Sequence, residues 1–142
     1  MNSIQKCRVI GVLDDGAASL SANALAHLAQ AELLIGGART LQLLAEHIDP
    51  SATQRDLTGA MAQVAEWIRA AQAEGQRVVV LATGDPLCHG IAAYLASRLC
   101  VEAIEVIPNV STLQLACARL CLPWQEMKFS SVHSKDAGDW VA

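Results

Sequence analysis

The stretch that most limits what this chain can become is Val78-Val-Val-Leu-Ala-Thr-Gly-Asp-Pro-Leu-Cys-His-Gly90. An unbroken apolar run from Val78 to Ala82 fits a strand buried on both faces, as in a parallel sheet covered by helices. Thr83, Gly84, Asp85 and Pro86 end the run abruptly. Ile91, Tyr94, Leu95 and Leu99 then recur at helical spacing. A strand–turn–helix step at the carboxyl end of a parallel strand is where open α/β sheets bind ligands. Gly84 permits close approach to its backbone. Asp85 either caps the helix or faces a ligand, and Pro86 opens the turn.

The rest of the chain repeats the alternation. Arg8 to Leu13 reads as a first strand, followed by the polar turn Asp14-Asp-Gly-Ala-Ala. Ser21 caps a helix from about Ala22 to Ala31, with Leu25, Leu28 and Ala29 as its inner stripe. Leu33 to Ile35 is a short strand closed by Gly36-Gly37, and a helix follows near Arg39 to Glu46. A short strand is placed near Arg55. Met61, Val64, Ala65 and Ile68 mark a helix that ends at Gly75. After the central step come a strand at Ile104 to Ile107, the turn Pro108-Asn-Val and a helix over Thr112 to Leu120, with Ser111 as its cap. Lys128 to His133 reads as one more strand. The order predicts an α/β fold: an open, mainly parallel sheet with helices on both faces.

Composition narrows the function classes. The 142 residues suit one domain, and the net charge of −4 with scattered basic residues gives no surface for nucleic acid. No apolar stretch reaches membrane-spanning length and Met1 to Cys7 holds no signal core, so a cytoplasmic location is expected. The five cysteines are odd in number and lack paired spacing, which argues against a disulfide framework. Cys117 and Cys121 share a helix face without a nearby His, so they read as small thiols and no metal site is assigned.

In a parallel sheet, the turns after Leu13, Thr83 and Ile107 share one edge. They carry Asp14, Asp15, Gly84, Asp85, Ser111 and Thr112, an acidic and hydroxylic set beside two helix starts. Such an edge suits a ligand with an amino group, ribose hydroxyls and a carboxylate. Capping is the competing role for Asp85, Ser111 and Thr112. Leu13 breaks a dinucleotide fingerprint, and Ala17-Ala18 stand where a P-loop needs Lys and Ser or Thr. Arg39 and His89 are placed to meet an acidic ligand, with solvated surface roles as the alternative. His27, His47 and His133 lack partners for a base or a metal. The residues alone give a small-molecule α/β domain without choosing a reaction.

Three segments of the chain resemble the tetrapyrrole methylase family. They are Val9-Ile-Gly-Val-Leu-Asp-Asp-Gly16, Thr83-Gly-Asp-Pro-Leu-Cys-His-Gly90, and Ile107-Pro-Asn-Val-Ser-Thr112, which is similar to a Pro-Gly-Val-Ser/Thr-Ser segment. Leu34-Ile-Gly-Gly-Ala-Arg39, the run from Asn109 to Trp124 and Ser-Val-His133 resemble the C5-methylating branch, the precorrin-6Y C5,15-methyltransferases of cobalamin synthesis. The resemblance implies S-adenosylmethionine-dependent C-methylation of a precorrin, with the active site between two α/β domains. By motif position it assigns the cofactor to Asp14, Thr83, Gly84, Asp85, Cys88, Ser111 and Thr112, and the tetrapyrrole to Gly11, Asp15, Arg39 and His89. It names no catalytic residue. It further implies an amino-terminal domain over residues 1–110, with 111–142 as a connecting helix and the first strand of an incomplete second domain. A homodimer or a complementing carboxyl-terminal half is the expected partner. A truncated, inactive partner subunit and a relative with another substrate are the alternatives. Leu13 departs from the family's usual glycine.

Overall fold

Successive residues of one short strand face different cores, and this sets the layers. Val78, Val80 and Ala82 join one buried cluster, while Val79 and Leu81 join the other. The two-residue period of an extended chain thus turns an unpatterned apolar run into a strand covered on both faces. Its neighbours do the same: Val9 and Ile35 face the first cluster, Ile10 and Leu34 the second. Fully burying each such aliphatic side chain contributes about 1.5–3 kcal/mol.

The computed structural model describes residues 5–130. Strands β1 (Cys7–Val12), β2 (Leu33–Gly36), β3 (Thr53–Asp56), β4 (Val78–Thr83) and β5 (Ile104–Ile107) form a sheet in the order β3-β2-β4-β1-β5. Each neighbouring pair is parallel. Helices α1 (Ala22–Gln30) and α2 (Ala38–Leu43) contribute Ala24, Leu28 and Leu41 to one core. Helices α3 (Met61–Ala73) and α4 (Ile91–Arg98) contribute Val64, Ile68, Ala92 and Leu95 to the other. The chain therefore leaves β1 and β2 toward one face and β4 toward the opposite face. The carboxyl end of β4 is flanked on both sides by such reversals, the places where open parallel sheets form ligand crevices. Cys7 is fully buried in this core, and burial pushes its thiol up to about 12.

Local chemistry explains most element ends. Ser21 caps α1 by accepting the Ala24 amide at 3.1 Å. Gly75 terminates α3 with φ +73°, and the Gly75 and Gln76 amides bond back to Gln72 and Ala71. That is the paired closure that favours glycine at this position. Some expected details differ. Leu13 lies beyond β1, in the turn. Helix α2 stops at Leu43, with a separate tight turn over Ala45–His47. The inner stripe of α1 is Ala24 and Leu28; Ala29 is exposed. Met61 is 41% exposed because α3 only begins there.

The chain divides into two compact units, one ending at Ser111 and one beginning at Thr112. The second holds α5 (Thr112–Leu120), closed by Cys121 at φ +54° and a Leu122 amide bonded to the Cys117 carbonyl at 2.9 Å. Of the strand expected over 128–133, residues 128–130 carry no strand, and 131–133 lie outside the described residues. Among the described residues no helix is long and apolar enough to cross a membrane.

Gly75→Ala tests the left-handed closure of α3. A lower urea midpoint is expected, corresponding to about 1 kcal/mol of lost stability; an unchanged midpoint would contradict it.

Candidate functional site

The turns after β1, β4 and β5 meet at one rim, and hydrogen bonds join them. The Gly84 amide donates to the Val12 carbonyl at 2.9 Å, which extends the β1–β4 ladder past the strand end. Gly84 itself turns the chain with φ +73°. Asp85 Oδ1 then accepts the Asn109 amide at 3.1 Å, and Oδ2 accepts the Leu87 amide at 3.3 Å. The Asn109 side chain continues the chain of bonds. Its Nδ2 donates to the carbonyls of Gly11 at 2.9 Å and Ser19 at 3.1 Å, while Oδ1 accepts the Val110 amide at 2.8 Å. One asparagine thus holds three segments with every donor and acceptor of its amide engaged.

Asp85 does not cap α4. That helix starts at Ile91 behind the N-cap residue Gly90 and has no side-chain cap; Gly90 lies six residues beyond the turn's own glycine. A Cβ at Gly90 would overlap the Pro86 carbonyl, so the tight loop demands glycine there. The carboxylate of Asp85 is instead spent on the β5 turn. Gly11 is explained by the same convergence. A Cβ there would overlap the Gly84 carbonyl oxygen and meet the Asn109 Cβ at 2.8 Å. Gly11 is buried under the loops, where close packing demands glycine.

The first turn closes on itself. Ser19 Oγ donates to the Gly16 carbonyl at 2.7 Å and accepts the Leu13 amide at 3.1 Å, and the Gly16 amide donates to the Leu13 carbonyl. Both backbone groups of Leu13 are consumed locally, and its φ is negative, so nothing requires glycine there. Asp14 and Asp15 are left exposed.

Two clefts open beside the end of β4. The first, about 280 Å³, is lined by Val12, Leu13, Asp14, Arg39 and Thr83, among others. The second, about 260 Å³, is lined by Leu57, Met61, Thr83, His89 and Ile91, among others. Gly37, Thr40 and Thr83 border both. A side chain at Gly37 would meet nothing within 4 Å, so that border is open. Thr58 also lines the first cleft; its amide bonds Asp56 at 2.9 Å, which holds the Asp56 carboxyl below its usual value.

The expected residues therefore sort into groups. Thr83, Asp14 and Arg39 share one cleft, and Thr83 and His89 the other. Gly11, Gly84 and Asp85 form the clamp beneath. Ser111 is buried two residues beyond Asn109, and Thr112 opens the second unit. Asp15 and Cys88 border neither cleft. Asn109 was not anticipated as a site residue; its signal was that it stands where the resembled segment has glycine. Among the described residues no group of His, Cys, Asp and Glu is arranged to hold a metal ion.

Fold and rim together define a doubly wound parallel α/β domain with ligand crevices at its reversal points. The sequence matches the family model for Tetrapyrrole (Corrin/Porphyrin) Methylases over residues 6–141, and the chain belongs to that family. It is 35% identical to a precorrin-6Y C(5,15)-methyltransferase [decarboxylating] of Sinorhizobium sp over 127 residues, covering 89% of this chain and 30% of the relative. It is 30% identical to the cobalt-precorrin-7 C(5)-methyltransferase of Salmonella typhimurium, covering 89% of this chain and 61% of the relative. A solved structure of the precorrin-6Y methylase of Archaeoglobus fulgidus superposes with a TM-score of 0.65 at 25% identity, over 85% of this chain and 60% of that one. The chain thus spans between 30% and 61% of the length of these relatives.

Two substitutions test the rim's packing. Gly11→Ala is expected to destabilise by about 1–3 kcal/mol, and Asn109→Gly by about 2 kcal/mol through its three lost side-chain bonds, two of them to carbonyls. Adding Asn109→Gly should not rescue Gly11→Ala in thermal melts, because the Gly84 carbonyl still obstructs the methyl group. Full rescue would show that Asn109 alone crowds Gly11.

Proposed function

We propose that this chain supplies the amino-terminal wall of an S-adenosylmethionine-dependent C-methyltransferase site. Its substrate would be a late precorrin of cobalamin biosynthesis, methylated at C5 (precorrin-6Y or cobalt-precorrin-7). The observation that carries the reading is the rim itself: Asp85 and Asn109 fix three turns at one edge, and two clefts sharing Thr83 open beside it. Family membership and the relatives' names supply the chemistry.

The residues fit such a ligand. Small-molecule sites are mostly apolar with a few placed polar groups, and span roughly 300–1,000 Å³. Each cleft here combines apolar walls with threonine hydroxyls at about the lower bound of that range. One cleft alone covers part of a nucleoside, so a second wall is needed. We assign residues 1–110 to the cofactor- and substrate-facing domain, and 111–142 to a connecting helix and the start of a second α/β half. That half completes the site, within one chain or from a partner such as a second copy.

Bound S-adenosylmethionine supplies an electrophilic methyl on its sulfonium. An enamine-like carbon of the macrocycle is the nucleophile, so no strongly tuned base is required of this chain. The protein's task is orientation, which is worth on the order of 7–11 kcal/mol when two reactants are held in near-attack geometry. Thr83, Gly84 and the backbone of the neighbouring turns hold the nucleoside. Asp85 serves by fixing that backbone, since both its oxygens are already engaged.

An amide-resolved NMR titration of the chain with S-adenosylhomocysteine tests the reading. Shifts are expected at residues 83–90, 13–16 and 109–111, saturating near millimolar ligand. Absence of shifts, or shifts confined to other residues, would overturn the site. Low-micromolar affinity would contradict the need for a second wall.

A further inference from the structure

The arginines of the first unit are almost all committed. Arg8 donates to Glu105 at 2.9 Å and to the Lys6 carbonyl. Arg69 bonds Glu66 and the Arg98 carbonyl, and Arg77 bonds the Gln30 carbonyl beside Glu32. Arg55 lies over the Trp67 ring and Arg98 over the Tyr94 ring. Arg39 differs. Among the described residues its side chain makes no hydrogen bond and covers no ring. Its sole interaction is an ion pair with Asp14 Oδ1 at 3.6 Å, with both side chains more than four-fifths exposed.

The pair has a definite place. Among the described residues, Asp14 and Arg39 are the only formally charged ones lining the first cleft, and they reach it from different elements, the β1 turn and α2. At 3.6 Å the contact is longer than the 2.7–2.9 Å or so of a charge-assisted hydrogen bond. An exposed pair of this kind contributes little to stability. A guanidinium offers donors in a planar fork that matches a carboxylate in two places at once. Asp14 uses this fork poorly. A better-aligned carboxylate in the cleft gains the fork's full geometry and sacrifices almost nothing.

We propose that Arg39 selects the carboxylate side chains of the substrate in the first cleft. Asp14 is the stand-in anion that a ligand carboxylate displaces. The inference rests on the reading above that a polycarboxylated tetrapyrrole occupies this rim. It moves Asp14 out of the cofactor's shell and gives it the role of internal competitor. The protein's net charge of −4 makes the point sharper, because the cleft must attract an anion against the overall field.

Binding of uroporphyrin, which carries a carboxylate on every side chain, is followed by absorbance and compared with a cationic N-methylpyridinium porphyrin. The chain should bind the anionic porphyrin in preference to the cationic one. Arg39→Gln should weaken uroporphyrin binding about tenfold. Asp14→Asn should tighten it about two- to fivefold, because the competitor's charge is gone. Both positions are exposed, so neither change should alter the melting temperature. If the chain binds uroporphyrin but both variants bind it equally well, the role of Arg39 is refuted and the tetrapyrrole reading stands. Weaker binding by Asp14→Asn refutes the competitor role. If the unaltered chain binds neither porphyrin, the tetrapyrrole reading of this rim falls, and this inference with it.

Discussion

One carboxylate and one carboxamide decide whether this sheet has a functional edge. Parallel strands end in loops that depart to opposite faces, so nothing in the sheet ladder itself holds those loops together. Here Asp85 reaches from the β4 turn to the Asn109 amide, and Asn109 reaches back to Gly11 and Ser19. Bonds to an ionised oxygen contribute about 1.5–3 kcal/mol, more than neutral ones. They also close a cycle through β1, β4 and β5, so each turn limits where the other two can go. The clefts beside Thr83 inherit their shape from that restraint.

The layered architecture was legible in the sequence because burial leaves a periodic trace. The run at Val78, the stripe of Val64 and Ile68, and the Ser21 cap are each dictated by local chemistry and survive into the fold. β3 left almost no such trace. Its residues Thr53, Gln54, Arg55 and Asp56 are all exposed at the sheet's edge, so no apolar pattern marks them. The end of α2 falls short of the expected Glu46 for the related reason that helix ends carry weaker periodicity than helix middles.

The site was legible as a set of turns but not as a set of roles. Position in the chain placed Asp85 at the rim. It could not show that both oxygens are consumed by amides, one of them twenty-four residues away. Asn109 was hidden because its bonds are long-range, to Gly11 and Ser19 across the sheet. Gly11 looked like a ligand-facing glycine and is instead a packing glycine. Leu13 looked like a lost glycine, yet the Ser19 hydroxyl rebuilds that turn around an ordinary residue. In each case a backbone group's partner, invisible in one-dimensional order, settles what the side chain does.

Hydrogen exchange at the Asn109 amide probes the central tie most directly. The account predicts slow exchange there, well below that of neighbouring exposed turns, and loss of that protection in Asp85→Ala while the amides of β4 stay protected. An Asn109 amide that exchanges freely in the unaltered chain, or that ignores the loss of the Asp85 carboxylate, would contradict it.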